Sequence, residues 1–378
     1  MRIYKKAVLP YGFKAAGISC GIKKSGKSDL ALFYSSFPAK AVGLFTTNKM
    51  QAAPVILCKN FLGQGGLFRA ILVNSGNANC FTGKKGLEGS LATANILSKA
   101  LGVKKESILV SSTGIIGRRL PVEKIKSAVP GLIKKLSSQG IREAARAIMT
   151  TDTFSKAVTA KLNIGGKVVT ICGIAKGAGM IAPNMATLLV FILTDIYLAQ
   201  GLLKKALKGA VAGSFNCITV DGCMSTNDSV ILLANGVSGN TKTISARDFG
   251  LFRNALNTVS LELAKMIVRD AEGASKFIEI RVSGAEDFNQ ARKAALAIAN
   301  SNLFKTAIYG ENPNFGRIIA AVGASGIDVA EKNLKIKASS LKKKDILVNV
   351  SLGAGNARAV VYTSDLTPEY IKINAEYN

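Results

Sequence analysis

The 378-residue chain contains no histidine and no tryptophan. Without imidazole, Ser-His-Asp and Cys-His triads, HExxH zinc sites and every His-ligated metal centre are excluded, because each depends on that ring. Any acid–base chemistry must draw on another group. Aromatic residues make up only 6%, so the stacking platforms that hold single-stranded nucleic acids are poorly supplied. The six cysteines (20, 58, 80, 172, 217 and 223) include no CxxC pair. Several lie in apolar runs such as VVTICGI, where the thiol behaves as a small hydrophobe, and a reducing cytoplasm is the expected setting. Long hydrophobic runs are also missing. The longest, Met185 to Leu193, is closed by Asp195 and falls well short of the roughly 20 residues that span a bilayer. At the N-terminus, Pro10 and Lys14 interrupt any apolar stretch that a signal peptide would need, so none is expected.

What the chain does have is basic charge. Fifty Lys and Arg stand against 23 Asp and Glu, a net charge of +27, which raises nucleic acid, a membrane surface or an anionic substrate as partners. The KK pairs at 5, 23, 84, 104, 134, 204 and 342 are dispersed, as expected of lysines on solvated faces. With 48% hydrophobic residues the chain can bury a large core, and its length suggests two or so domains. Short apolar runs mark strands near 29–35, 41–46, 69–74, 107–111, 167–174, 187–194, 229–234, 276–282, 345–351 and 358–363. Helical periodicity appears near 88–101, 121–137, 141–149, 200–213, 247–269 and 288–300. Strands come in adjacent pairs as often as they alternate with helices. The expected class is therefore α/β of the α+β type, layered sheets covered by helices.

Four motifs could carry chemistry. GIKKSGKS (Gly21 to Ser28) matches the phosphate-cradling G-x-x-x-x-G-K-[ST] pattern, and with it comes the alternative of a P-loop nucleotide-binding enzyme. That pattern needs a buried strand before it and a helix N-terminus after it. Here GFKAAGISC is a poor buried strand and DLALFYSS alternates with period two, so a hairpin turn is the better reading. NSGNANCFTG (Asn74 to Gly83) and SSTGIIG (Ser111 to Gly117) each follow an apolar strand. Either reads as an ordinary turn, although a Thr-Gly pair at a strand end can also present the hydroxyl and N–H donors that stabilise an oxyanion. The fourth motif, KGAGMIAPNMATLLVFILTD, puts Thr187 between a Pro/Asn loop and an apolar run. A chain without imidazole can still activate a hydroxyl when the nucleophile is an N-terminal residue whose own α-amine, with a pKa near 8, is the base. Position 187 is internal, so the Ala186–Thr187 bond would first have to break by attack of the Thr187 hydroxyl on the preceding carbonyl.

KGAGMIAPNMATLLVFILTD closely resembles the corresponding segment of the ornithine acetyltransferase family, the bifunctional glutamate N-acetyltransferases of arginine biosynthesis. The blocks LFTTNKMQAAPV, NSGNANCFTG, SSTGIIG, MTTDTFSK, ITVDGCMSTNDSVILLANG, RDAEGASKF, NPNFGRIIAAVGASG and YIKINAEY are similar to family blocks in family order. The resemblance implies a two-domain αββα sandwich and a self-cleaving Thr-nucleophile proenzyme, with an α chain of residues 1–186 and a β chain of 187–378. It implies Thr187 as the acetyl acceptor, Thr113 and Gly114 as the oxyanion-hole pair, and Thr153, Lys176, Thr187, Glu272 and Asn374 as substrate contacts. N-acetylornithine and glutamate are the implied small-molecule substrates. No cofactor is implied, with acetyl-CoA as an optional co-substrate, and the implied assembly is an α2β2 heterotetramer in the cytoplasm without nucleic-acid or membrane partners. The chain departs from the common family pattern at Ala182, Cys223 and Phe315, none of which has an implied catalytic role. The alternative of a basic nucleic-acid-binding protein would require the lysines to gather on one face beside aromatics.

Overall fold

The computed structural model describes residues 1–4, 6–182, 188–240 and 243–376; Ala186 and Thr187 lie outside the described residues. In chain order the strands are β1 (Arg2–Tyr4), β2 (Phe13–Ile18), β3 (Leu30–Phe45), β4 (Phe68–Asn77), β5 (Ile108–Ile115), β6 (Lys156–Ile164), β7 (Lys167–Lys176), β8 (Leu189–Thr194), β9 (Ser229–Ala234), β10 (Phe277–Ala285), β11 (Lys335–Ala338), β12 (Asp345–Ser351) and β13 (Ala357–Ser364). The helices are α1 (Ala53–Gly63), α2 (Gly83–Leu101), α3 (Val122–Lys134), α4 (Ile141–Ala147), α5 (Gln200–Ala212), α6 (Ala246–Arg269), α7 (Phe288–Ala299), α8 (Asn302–Tyr309), α9 (Gly316–Ala324) and α10 (Pro368–Glu376). They form two compact units, one of Met1–Gly177, Thr187–Ser214 and Met224–Leu263, the other of Ala178–Ala186, Phe215–Cys223 and Ala264–Asn378.

The first unit is built on a nine-stranded sheet of order β1-β6-β7-β8-β9-β3-β4-β5, with β2 also paired to β3. The long β3 belongs to both halves of that sheet. Its first part, Leu30 to Tyr34, pairs with β2 and β4, and its last part, Lys40 to Phe45, pairs with β9. The ladder shifts register between Tyr34 and Ala39, where Pro38 cannot donate a hydrogen bond. Across that break the two halves share one core: the rings of Phe33 and Phe191 meet with centroids 5.1 Å apart and planes tilted by 35°, among Ile71, Leu109, Ile174 and Ile231. Helices flank the strands, with α1 and α2 against β5 and α4 against β2. Helix α6 lies on β7, where a side chain at Gly173 would meet Val259 and Leu263 at 2.7 Å. The second unit has a four-stranded sheet, β11-β12-β10-β13, parallel only between β10 and β12. Its core of Ile278, Ile280, Val282, Val348 and Val361 packs against Ala291, Ala295 and Ile298 of α7. Both units are mixed α/β layers, sheets flanked by helices.

Gly21 to Ser28 joins the antiparallel pair β2 and β3, and a strand follows it where a phosphate-binding loop would open a helix. The P-loop enzyme reading therefore fails on topology. Residues 13–18, a poor strand by sequence, nonetheless form β2 because β3 supplies a complete antiparallel partner, from Phe13↔Ser35 to Ile18↔Leu30. The turn has a rigid centre. The fully buried Asp29 accepts hydrogen bonds from the backbone N–H groups of Cys20 and Ile22, each at 2.6 Å, and of Lys23 at 2.9 Å. Among the described residues no helix is long and apolar enough to cross a membrane.

Candidate active site

The apolar runs AILV and ILV make β4 and β5 a buried parallel pair, and the polar residues after each run continue the strands. Ser75 pairs with Thr113 and Gly76 with Gly114, and the register shifts at Gly76/Asn77. Gly114 has φ +129°, and a Cβ on it would lie 2.4 Å from the Gly76 carbonyl carbon, so the crossing requires glycine at this position. Asn227 ties the pair to β9, its amide Nδ2 donating to the carbonyls of Ala78 at 2.6 Å and Ser112 at 2.8 Å.

Thr113 is buried, as is Lys176 at the end of β7. The Lys176 ammonium donates to Thr113 Oγ1 at 3.3 Å, leaving the hydroxyl proton of Thr113 to point elsewhere. Lys176 also pairs with Leu189 across the sheet, so β8 enters the sheet with its first residue beside the backbone of this lysine. Leu188 is held from both sides: its N–H donates to Asp228 Oδ1 at 2.9 Å, and its carbonyl accepts from Ser229 N–H at 3.2 Å. Asp228 is wholly buried, and among the described residues its Oδ2 has no hydrogen-bond partner. Burial pushes its carboxyl well above the usual carboxylate range, against the opposing pull of the Leu188 N–H and the charge of Lys176.

Behind Lys176 lies a second carboxylate. Asp152 Oδ1 accepts from Lys156 Nζ at 2.6 Å and from Gly177 N–H at 2.7 Å, and both side chains of the ion pair are fully buried. Burial alone would raise the Asp152 carboxyl, but Lys176 and Lys156 hold it well below the usual range. A carboxyl depressed on folding contributes stability that is complete above its unfolded pKa, near 4, and is lost as pH falls through its folded value. Lys156→Met leaves Asp152 buried without its closest counter-charge, a loss expected at about 3–5 kcal/mol. Chemical denaturation of wild type and variant should give a constant gap between pH 7 and 5 that narrows below pH 4; an equal gap at pH 7 and 3 would mean that packing, not charge, is what the lysine contributes.

In the second unit, Glu272 is held by its surroundings. Its N–H donates to the Ala178 carbonyl at 3.1 Å, and a side chain on Gly179 would collide with its carboxylate at 2.2 Å. Asn374, on α10, donates through Nδ2 to Glu272 Oε2 at 2.9 Å. The helix is fixed by Tyr370, whose hydroxyl donates to Asp221 Oδ2 at 3.2 Å. Asp221 also accepts the N–H groups of Met180 at 2.6 Å and Ile181 at 3.0 Å.

Of the residues singled out in the sequence, Thr113, Gly114 and Lys176 meet in the first unit and Glu272 and Asn374 in the second. Thr153 is exposed and directly follows Asp152, while Ala186 and Thr187 lie outside the described residues. Sequence reading missed Asp152, Lys156, Asn227 and Asp228. The i, i+4 spacing of Asp152 and Lys156 in DTFSK was the available signal for the first pair; Asp228 gave none beyond standing at the head of an apolar strand.

A model of the ArgJ family matches residues 14–378. The arginine biosynthesis bifunctional protein ArgJ of Syntrophotalea carbinolica is 45% identical over 388 residues, covering 97% of this chain and 98% of the relative. Its counterpart in Caldanaerobacter subterraneus subsp. tengcongensis is 46% identical over 398 residues, covering 98% of each. Among solved structures, the ornithine acetyltransferase of Mycobacterium tuberculosis complexed with ornithine is 37% identical across 50% of this chain and 98% of that one, with a TM-score of 0.44. The Thr-Gly strand end, the buried lysine beside it and a match that runs from residue 14 to the last residue lead to one assignment: this chain belongs to the ArgJ family.

Proposed function

We propose that the chain is an ornithine acetyltransferase of arginine biosynthesis, moving acetyl from N2-acetylornithine to glutamate through an acetyl ester on Thr187. Scission comes first. The Thr187 hydroxyl adds to the Ala186 carbonyl, the C–N bond breaks to leave an ester and a free α-amine, and water hydrolyses the ester, giving chains 1–186 and 187–378. In each turnover the α-amine takes the hydroxyl proton of Thr187 as its oxygen attacks the acetyl carbonyl. The proton passes to the departing ornithine nitrogen, and glutamate's amine then attacks the ester in the reverse sense.

What supports this reading is the contact of Lys176 Nζ with Thr113 Oγ1 at 3.3 Å. A threonine hydroxyl that accepts from an ammonium turns its own proton outward, as a donor to an oxyanion must, and the nearby cation favours developing negative charge. The Gly114 N–H is the second donor we assign. Glu272 with Asn374 supplies a carboxylate for the substrate ammonium, and Thr153 is a further substrate contact. We assign the same reading an α2β2 assembly in the cytoplasm, with acetyl-CoA as an optional second donor.

Intact-mass measurement on purified protein tests the proposal. Two polypeptides are expected, and N-acetylornithine should add one acetyl group to the 187–378 fragment alone. A single unbroken chain that exchanges acetyl would overturn it. Thr113→Ala should lower kcat for both half-reactions by roughly 10²-fold or more with KM little changed; an unaltered kcat would remove Thr113 from the oxyanion hole.

A further inference from the structure

A cavity of about 330 Å³ opens in the first unit, lined by Lys23, Lys27, Ser28, Arg146, Met149, Thr150 and Asp152. Its size is in the range of small-molecule sites. Neither Lys27 nor Arg146 forms an ion pair or a side-chain hydrogen bond with any other described residue. Both are exposed. The third cation, Lys23, is fixed in place: its Nζ donates to the carbonyls of Ser28 at 2.8 Å and Met149 at 2.7 Å, and the turn carrying it is locked by Asp29. One N–H of its ammonium remains for a ligand. Asp152 in the wall offsets Lys23 only in part, because it is shared with the buried Lys156 and with Lys176.

We infer that this cavity binds the phosphate group of an anionic ligand, with Lys23, Lys27 and Arg146 as its charge partners and the Ser28 and Thr150 hydroxyls as neutral donors. Two exposed cations without a carboxylate partner, beside a third whose charge Asp29 and Asp152 offset in part, favour a dianion or polyanion over a single carboxylate. The site differs in kind from a phosphate-cradling loop: side-chain cations replace backbone N–H groups, and no helix follows. Electrostatics supports the assignment. Burial pushes the Lys23 ammonium down to about 8, with Asp29 and Asp152 opposing that effect and Lys176 and Lys27 adding to it; an anion in the cavity would restore its proton. Lys176 is thus within electrostatic reach of the cavity, and Asp152 forms a wall common to both. A phosphorylated acyl carrier would therefore be anchored next to the acyl-transfer residues, whereas free phosphate would act there as an effector. The first of these outcomes rests on the acetyltransferase reading; the phosphate site itself does not.

The test uses the full-length purified enzyme, as wild type and as Lys27→Ala/Arg146→Ala. Binding of adenosine 3′,5′-bisphosphate and of inorganic phosphate is followed by calorimetry at pH 7 and pH 9, and acetyl exchange between N-acetylornithine and glutamate is measured on the same samples. We expect saturable binding to wild type, weakened tenfold or more in the double variant and several-fold at pH 9, with kcat/KM for the exchange within twofold of wild type. Tighter binding of the bisphosphate assigns the site to a phosphorylated carrier, and equal or tighter binding of inorganic phosphate assigns it to free phosphate. No saturable binding of either probe, or equal affinity in the double variant, would overturn the site. Absence of exchange in wild type would overturn the acetyltransferase reading and leave the binding result standing.

Discussion

Thr187→Ala is expected to accumulate as one 378-residue polypeptide with acetyl exchange at the uncatalysed background, a loss of at least about 10⁶-fold at the low end of enzymatic acceleration. Two dependencies combine in that number. The variant has no hydroxyl to attack the Ala186 carbonyl, so the bond stays closed; with the bond closed there is no α-amine at residue 187, and a chain without histidine offers no imidazole in its place. Thr187→Ser separates the two, since it keeps a hydroxyl and should be processed and active at a reduced rate. Denaturing electrophoresis with intact mass reads the first consequence and an exchange assay the second. A Thr187→Ala protein that still divides after residue 186 would assign scission to another group.

Gly114→Ala should cost both stability and turnover. At φ +129° the backbone is in a region that an L side chain rarely adopts, and the new methyl group would sit 2.4 Å from the carbonyl carbon of Gly76 and 2.6 Å from the nitrogen of Asn77. Both contacts are with main chain, so no rotamer change relieves them. Backbone strain of about 1–3 kcal/mol adds to an overpacking cost of about 1–3 kcal/mol. The relief available is to part β4 from β5, which also displaces Thr113 relative to Lys176. Misplacement of about 1 Å at a reacting centre can cost about 10²-fold, so kcat should fall by at least that much in whatever fraction folds. Melting and steady-state kinetics on the same preparation would show both; a variant as stable and as active as wild type would mean that the strand ends are free to move apart.

Much of the architecture was legible because it rests on local pattern. Strands β8 and β9 are continuous apolar runs, and α5, α6 and α7 carry clear helical periodicity, so each falls where the sequence places it. What was not legible depends on partners distant in sequence. Residues 29–35 and 41–46 read as two strands, yet they are one, β3, because the interruption at Pro38 bends the ladder without ending it. The segments NSGN and SSTGI read as turns because Gly and Asn dominate them; their parallel pairing keeps them in the sheet. Helix α1 escaped notice because APVILCKNFLG is apolar on nearly every face. The motif residues Thr113, Gly114 and Lys176 were found because they stand in recognisable blocks. Lysines 156 and 305, read as part of a solvated charge, are buried through carbonyl, hydroxyl and carboxylate partners that no local window contains.

The strand order β7-β8-β9-β3 has a consequence for the proposed division of the chain. The two strands encoded after residue 187 lie between two encoded before it, knitted to β7 on one side and to β3 on the other. A nick at residue 186 therefore produces pieces interlaced like the fingers of clasped hands, and neither can leave without unzipping two internal ladders. Each half made alone would carry raw sheet margins, the kind of surface that invites aggregation. Under the proposed scission, folding has to precede the cut, and a molecule so cut should keep its original halves for life.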